Sequence, residues 1–243
     1  MTDPVRVAMW SGPRNVSTAL MRSFASRADT AVCDEPLYAH YLAQTGLAHP
    51  LAQQVMESQP SDWRAVAEQL TGPVPHGRAV FYQKHMAHHL LDGVGRQWLG
   101  GLSHAFLIRR PDEMLASLVR VTPEPELADT GLPQQVALFD ELRTAGTSPA
   151  VLDGAELLAD PPGLLAALCA RLDIAWDPAM LRWEPGIHAT DGVWAPAWYD
   201  AVAASTCFAS PRPRQPALNP HLTALHRRCL PLYEHLAAHR LTA

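Results

Sequence analysis

The sequence predicts an α/β fold: a three-layer sandwich around a mostly parallel sheet, with a helical C-terminal section. Two observations carry that expectation. Short runs of strand length recur along the chain, and between them stand longer stretches whose apolar residues follow a helical spacing. Prolines, 22 in all, punctuate the joints, as expected of many short connections. No internal repeat or heptad run interrupts this alternation. One domain is expected over 1–243, with an α/β core over about 1–175 and a helix-and-loop section over about 176–243 covering the site.

Taken in order, "VRVAMW" (5–10) lies between Pro4 and Gly12, and its β-branched alternation reads as a buried strand. "STALMRSFASR" follows with Ala19, Leu20, Phe24 and Ala25 at helical spacing. "TAVCDEP" (30–36) is a second strand stopped by Pro36, and "LYAHYLAQTG" a short helix ending at Gly46. "DWRAVAEQL" is helical, "RAVFYQK" (78–84) a third strand and "HAFLIRR" (104–110) a fourth. Pro111 opens the next helix at the position where a missing N–H costs nothing. A longer helix over about 131–145 precedes the fifth strand, "PAVLD" (149–153), and "LLADPPGLLAALCARLDI" is helix divided at its prolines. The last third is helix and loop, closing on the amphipathic "NPHLTALHRRCLPLYEHLAAHRL", a covering or dimer helix.

Bulk composition narrows the function classes. A formal net charge of -5 argues against a general nucleic-acid binder, yet leaves room for a small anion held by a few local cations. No apolar run approaches the ~20 residues of a membrane span. "MTDPVRVAMW" lacks the basic and apolar regions of a secretory leader, and Cys33, Cys169, Cys207 and Cys229 form no CxxC pair. Together these lead us to expect a cytoplasmic protein with reduced thiols.

In parallel sheets ligands collect beyond the carboxyl ends of the strands. Here the residues after Trp10, Cys33, Lys84 and Ile108 are "SGPRNVST", "DEP", "H" and "RRP", so four strand ends each deliver polar or charged groups. The first is the most specific. A loop between strand and helix leaves free N–H groups at the helix start, and those donors favour an anion. Gly12 and Pro13 make the turn, Arg14 adds a fixed charge, and Asn15, Ser17 and Thr18 flank Val16 with hydrogen-bonding side chains. Alternatively, Ser17 or Thr18 only caps the helix. In "LIRRPDEMLASL", Arg109 ends a strand and Ser117 stands eight residues on, a pair able to grip a second phosphate.

These two segments resemble the signatures of sulfotransferases that use 3'-phosphoadenosine 5'-phosphosulfate, a P-loop-like α/β family. "SGPRNVSTAL" is similar to their 5'-phosphosulfate loop, and Arg109, Pro111 and Ser117 to their 3'-phosphate motif. "VLDGAELLADPPGLLAALCARLDI" resembles a third region, and small bacterial members beginning "SGPRN" with a later "DEP" are the nearest in kind. The likeness covers about residues 5–175 well and the remainder weakly. It implies sulfuryl transfer from that co-substrate to a hydroxyl or amine of a small acceptor, with no metal required. Departures are plain: Ala19 stands where many members carry an adenine-stacking tryptophan, Gly154 where some have a tyrosine, and the basic C-terminal loop has no counterpart in "EPGIHATDGVWAPAWY".

The resemblance also implies roles. Arg14 and Lys84 are the expected cations facing the leaving phosphate. Glu35 and His85 compete for the base. Relatives place a histidine two residues after the lysine, where this chain has Met86, and strand alternation would send Lys84 and His85 to opposite faces. A buried glutamate can reach a suitable pKa, whereas histidine has one already. "HMAHH" spaces His85, His88 and His89 at i, i+3, i+4, a metal-like pattern if helical, but without the glutamate of a zinc hydrolase. Asp191, Trp194, Trp198 and Tyr199 either line an acceptor pocket or pack, and in "SPRPRQP" Arg212 and Arg214 either replace a phosphate contact or belong to a solvated proline-rich connection, the reading preferred here. Two other readings stand beside this one. A kinase or nucleotide hydrolase would require the lysine of G-x-x-x-x-G-K-[ST] and a Mg²⁺ site, and a non-catalytic nucleotide-binding module would bind without transfer.

Overall fold

The computed structural model describes residues 3–210 and 216–243, so Arg212 and Arg214 lie outside the described residues. Five strands, β1 (Val5–Ser11), β2 (Thr30–Asp34), β3 (Val80–Met86), β4 (Ser103–Ile108) and β5 (Ala150–Asp153), form one sheet in the order β2-β3-β1-β4-β5. Every pairing is parallel. The helices are α1 (Ser17–Ala25), α2 (Tyr38–Thr45), α3 (Ala52–Ser58), α4 (Trp63–Thr71), α5 (Pro111–Leu118), α6 (Leu132–Thr144), α7 (Gly154–Ala159), α8 (Pro161–Arg171), α9 (Ala195–Trp198), α10 (Asp200–Ala203) and α11 (Pro220–Ala237).

The layers follow from strand alternation in a sheet buried on both faces. Ala8, Trp10, Phe81 and Phe106 point to one side and pack with residues of α4, α5, α6 and α11. Val7, Met9, Tyr82 and Leu107 point to the other, against Leu20, Met21 and Phe24 of α1 and Leu164, Leu165 and Leu168 of α8. Trp10 is fully buried at the centre, and truncating such a residue typically costs about 3–5 kcal/mol. The terminal helix α11 turns Leu222, Leu225, Cys229 and Leu236 onto this core. No helix among the described residues is long and apolar enough to cross a membrane.

The strands and helices expected from the sequence lie within a few residues of those found, α3 (Ala52–Ser58) lies outside that expectation, and one difference is consequential. β3 runs through Met86 rather than ending at Lys84, and the "HMAHH" run is strand followed by a short 3-10 turn at Ala87–His89. The helical spacing assumed for a metal-like trio is therefore absent. Among the described residues no group of three or more His, Cys, Asp or Glu is placed to hold a metal ion.

The chain runs from β1 to the β2 edge, returns through β3, and crosses to β4 on the far side of β1. That reversal opens a crevice at the carboxyl ends of the central strands.

Candidate active site at the carboxyl end of the sheet

The loop after β1 is set by close packing rather than by glycine torsion. A Cβ on Gly12 would stand 2.2 Å from the Thr130 carbonyl oxygen, so only glycine lets the backbone approach the 130–131 turn. Gly131 meets it with φ +70, and a Cβ there would fall 3.1 Å from the Gly12 Cα. Arg14, not glycine, takes the left-handed conformation at φ 58. Asn15 is buried and ties the loop to β4 through Nδ2 donating to the Leu107 carbonyl at 2.9 Å. Gln135, fully buried on α6, donates to the carbonyls of both Trp10 and Leu107 at 3.1 Å.

The helix start that follows is left open. Val16 occupies the cap position of α1 and supplies no side-chain hydrogen bond, and no acidic residue stands in the first turn. Neither Ser17 nor Thr18 caps the helix. By contrast α4, α7, α8 and α11 are capped by Asp62, Asp153, Asp160 and Asn219. Free N–H groups at an uncapped start, together with the helix dipole, attract an anion.

Cations converge on the same place. Arg14 Nε donates to Ser117 Oγ at 3.0 Å, and Arg109 Nη1 donates to the Arg14 carbonyl at 2.7 Å while its other nitrogens hold Glu113. Burial lowers the Arg14 pKa, and the positive charges of Arg109 and Arg120 lower it further. A cation so depressed is stabilised by an incoming anion. Arg120 was not singled out from the sequence; it lies one helical turn beyond Ser117, and that i+3 spacing was the available signal.

On the opposite wall, Lys84 Nζ sits 2.8 Å from Asp34 Oδ1, 2.5 Å from Glu35 Oε1 and 2.8 Å from the Tyr199 hydroxyl. Glu35 leaves β2 with φ 41, its N–H bonded to the Lys84 carbonyl at 2.9 Å, a strained turn that swings its side chain back over Lys84. Burial pushes the Glu35 carboxyl up, outweighing the pull of Lys84. Burial opposes the charge on Lys84, but Asp34, Glu35 and Tyr199 together hold its pKa well above the ordinary lysine value.

A cavity of about 870 Å³ joins the two walls. Pro13, Arg14, Asn15, Val16, Ser17, Thr18, Glu35, Lys84, Arg109 and Ser117 all line it, while Gly12 supports the loop from behind. His85 does not reach it. Its ring lies on the other side of the sheet, stacked on Trp10 at 4.2 Å, and burial drives its pKa down to about 3. Position 86, on the same side as Lys84, does line the cavity, but a methionine cannot take a proton. Lys84, expected to face the leaving phosphate together with Arg14, has its hydrogens engaged with three oxygens across the cleft. Of the "DGVWAPAWY" residues, Trp198 and Tyr199 line the cavity, Trp194 supports Tyr199 through Nε1 at 3.1 Å, and Asp191 pairs with the buried Arg22. Tyr38, Tyr41 and His49 complete the wall beside Glu35, with His88 and His89 held neutral by burial.

Comparison with known proteins bears on this arrangement. The family model for the sulfotransferase domain matches residues 5–240. Branched-chain-amino-acid aminotransferase-like protein 1 of Arabidopsis thaliana is 39% identical over 244 residues, which is 98% of this chain and 43% of that protein. Protein 2 of the same name is 37% identical over 234 residues, 95% of this chain and 41% of its own length. The chain thus spans about two fifths of the length of these curated relatives. Among solved structures, a sulfotransferase from Alicyclobacillus acidocaldarius superposes with a TM-score of 0.58 at 15% identity, covering 100% of this chain and 98% of that one. The sulfotransferase domain from the curacin biosynthetic pathway gives 0.52 at 14% identity, covering 94% of this chain and 98% of that one. These structural likenesses speak to the fold.

Proposed function

The chain belongs to the sulfotransferase-domain family, and from that premise we propose that it moves a sulfuryl group from 3'-phosphoadenosine 5'-phosphosulfate to a hydroxyl or amine of a small acceptor. The observation that carries this reading is the Arg14–Ser117 contact, which brings the uncapped start of α1 and the Arg109 strand end to one cavity that also holds Glu35. Arg14, the Ser17 and Thr18 hydroxyls and the unbonded backbone amides at the start of α1 would hold the phosphosulfate. Arg109 and Ser117 would hold the 3'-phosphate, with Arg120 near. Such preorganised donors stabilise charge as it builds on the leaving oxygen.

Glu35 is the base in this reading. Its Oε1 is held by Lys84, and among the described residues Oε2 carries no hydrogen bond while the carboxyl borders the cavity. The acceptor proton passes to Glu35 as the acceptor oxygen or nitrogen bonds to sulfur. The sulfur–oxygen bond to phosphate breaks, and its electron pair leaves on adenosine 3',5'-bisphosphate.

The names of the plant relatives raise aminotransferase chemistry, which forms a Schiff base on a neutral lysine. Lys84 is the only lysine in this sequence, and Asp34 and Glu35 hold it as the ammonium. Sulfuryl transfer suits the site better. Calorimetric titration of adenosine 3',5'-bisphosphate into the wild type and Arg109→Ala tests the donor: binding weakened by the substitution supports it, and no binding to the wild type sinks it.

A further inference from the structure

We propose that Asp34 and Tyr199 are positioning residues that hold Lys84 on Glu35, so that the chain's only lysine serves the base rather than the donor. This rests on the reading of Glu35 as the base.

The hydrogen count carries the argument. An ammonium has three hydrogens, and Lys84 faces three oxygens at 2.5–2.8 Å: Asp34 Oδ1, Glu35 Oε1 and the Tyr199 hydroxyl. A donor phosphate would gain a bond from Lys84 only by displacing one of them. The Tyr199 hydroxyl is equally committed. It accepts from Lys84 and from Trp194 Nε1 at 3.1 Å, and donates its single hydrogen to Asp34 Oδ2 at 2.7 Å. Its 3.4 Å approach to Glu35 Oε1 therefore has no hydrogen left to fill it. Asp34 Oδ2 also receives the Gly192 N–H at 3.2 Å.

Charge explains what the cage achieves. Two carboxylates share one ammonium in a buried cluster, which leaves one uncompensated negative charge when all are ionised. Asp34 is bonded at both oxygens, whereas among the described residues Glu35 Oε2 carries no hydrogen bond and the residue lines the cavity. Within this cluster the acceptor proton therefore goes to Glu35, and its arrival neutralises the cluster. Lys84 keeps its three hydrogens throughout. Because Tyr199 and Gly192 come from the 184–199 segment, the base is complete only when that segment is seated.

A single lysine makes the test direct. Protein labelled with ¹⁵N at the lysine ζ position gives one ammonium signal from the whole chain. In the wild type this signal should exchange its hydrogens slowly and move by less than a line width when adenosine 3',5'-bisphosphate saturates the site. Tyr199→Phe keeps the ring and removes the hydroxyl. It should speed the ammonium exchange and shift the acid limb of the pH–rate profile upward. It should also lower turnover of 3'-phosphoadenosine 5'-phosphosulfate, with water as acceptor, about tenfold, the loss of one hydrogen bond to a charged group. Nucleotide affinity should stay within about twofold, since nothing on the donor side is touched. A lysine signal that shifts in step with nucleotide occupancy overturns the proposal, and this wild-type titration needs no variant to fold. So does a folded Tyr199→Phe with unchanged exchange and pH profile. If the nucleotide fails to bind the wild type, the donor reading falls, and the exchange comparison still decides the cage.

Discussion

Arg14 Nε donates to Ser117 Oγ at 3.0 Å, joining two residues 103 positions apart in the sequence. The contact brings the loop after β1 and the helix after β4 to one cavity, where we propose they hold the donor's two phosphates. Arg109 adds a bond to the Arg14 carbonyl, so each arginine braces the other. Removing Arg109 deletes a cation and loosens Arg14 together. Arg109→Ala should weaken adenosine 3',5'-bisphosphate binding by about 10- to 100-fold, the worth of one or two charge-assisted bonds. Ser117→Ala should weaken it by less than tenfold. Calorimetry on both variants checks the ranking.

Glu35→Gln keeps the shape of the base and removes its charge. Turnover should fall about 10²- to 10⁴-fold while nucleotide affinity holds. As the proposed base, Glu35 works only when ionised, and burial has raised its pKa. Activity should therefore be lost as pH falls through a value above the ordinary glutamate range, and the acid limb should vanish from the residual rate of Glu35→Gln. A pH–rate series on both proteins reads this out.

His85 provides the contrast. Its ring packs on Trp10 behind the sheet, and with a pKa near 3 it stays neutral across the working range. His85→Gln should leave the pH profile unchanged and the rate within about threefold, because no proton passes through it. Loss of the stack should lower stability by about 0.5–1.5 kcal/mol, seen in denaturant melts.

The fold and the turn after β1 were legible because both follow from local pattern. Strand alternation even separated Lys84 from His85, once β3 was allowed to run on to Met86. What the sequence hid was the company each residue keeps. Asp34 sits beside Glu35 in "CDEP", yet its bond to a tyrosine 165 residues away depends on how the 184–199 segment folds back. Lys84 looked like a free strand-end cation because its three partners come from two distant elements. Gln135 gave no signal at all: a lone polar residue in a helix shows its use only when the carbonyls of Trp10 and Leu107 are seen to converge on it.

Gly12 is a case where a single methyl group should be decisive. Its Cβ would lie 2.2 Å from the Thr130 carbonyl, a backbone atom that cannot swing aside. Gly12→Ala must therefore push the loop after β1 away from the 130–131 turn. We expect a loss of about 1–3 kcal/mol in stability, as for other overpacked sites, and weaker nucleotide binding because Arg14 and the α1 start move together. Denaturant melts with and without adenosine 3',5'-bisphosphate separate the two effects.

The segment that brings Tyr199 to Lys84 and Asp34 is itself latched by one buried ion pair. Arg22 on α1 meets Asp191 at 2.5 Å, both side chains all but inaccessible, and Arg22 also donates to the Gly186 carbonyl at 3.0 Å. Asp191→Ala strands the guanidinium without its partner, which should cost about 3–5 kcal/mol and slow turnover by unseating Tyr199. Asp191→Asn keeps the shape and isolates the titration. Burial raises the Asp191 pKa to about 6, against the pull of Arg22. A carboxyl raised in the fold contributes stability that is full below its unfolded value near 4 and is lost as pH rises through about 6. The Tm of the wild type, measured relative to Asp191→Asn, should therefore decline from about pH 4 to pH 7 and level off above. A Tm difference that rises over the same interval would show that Arg22, not burial, governs the carboxyl.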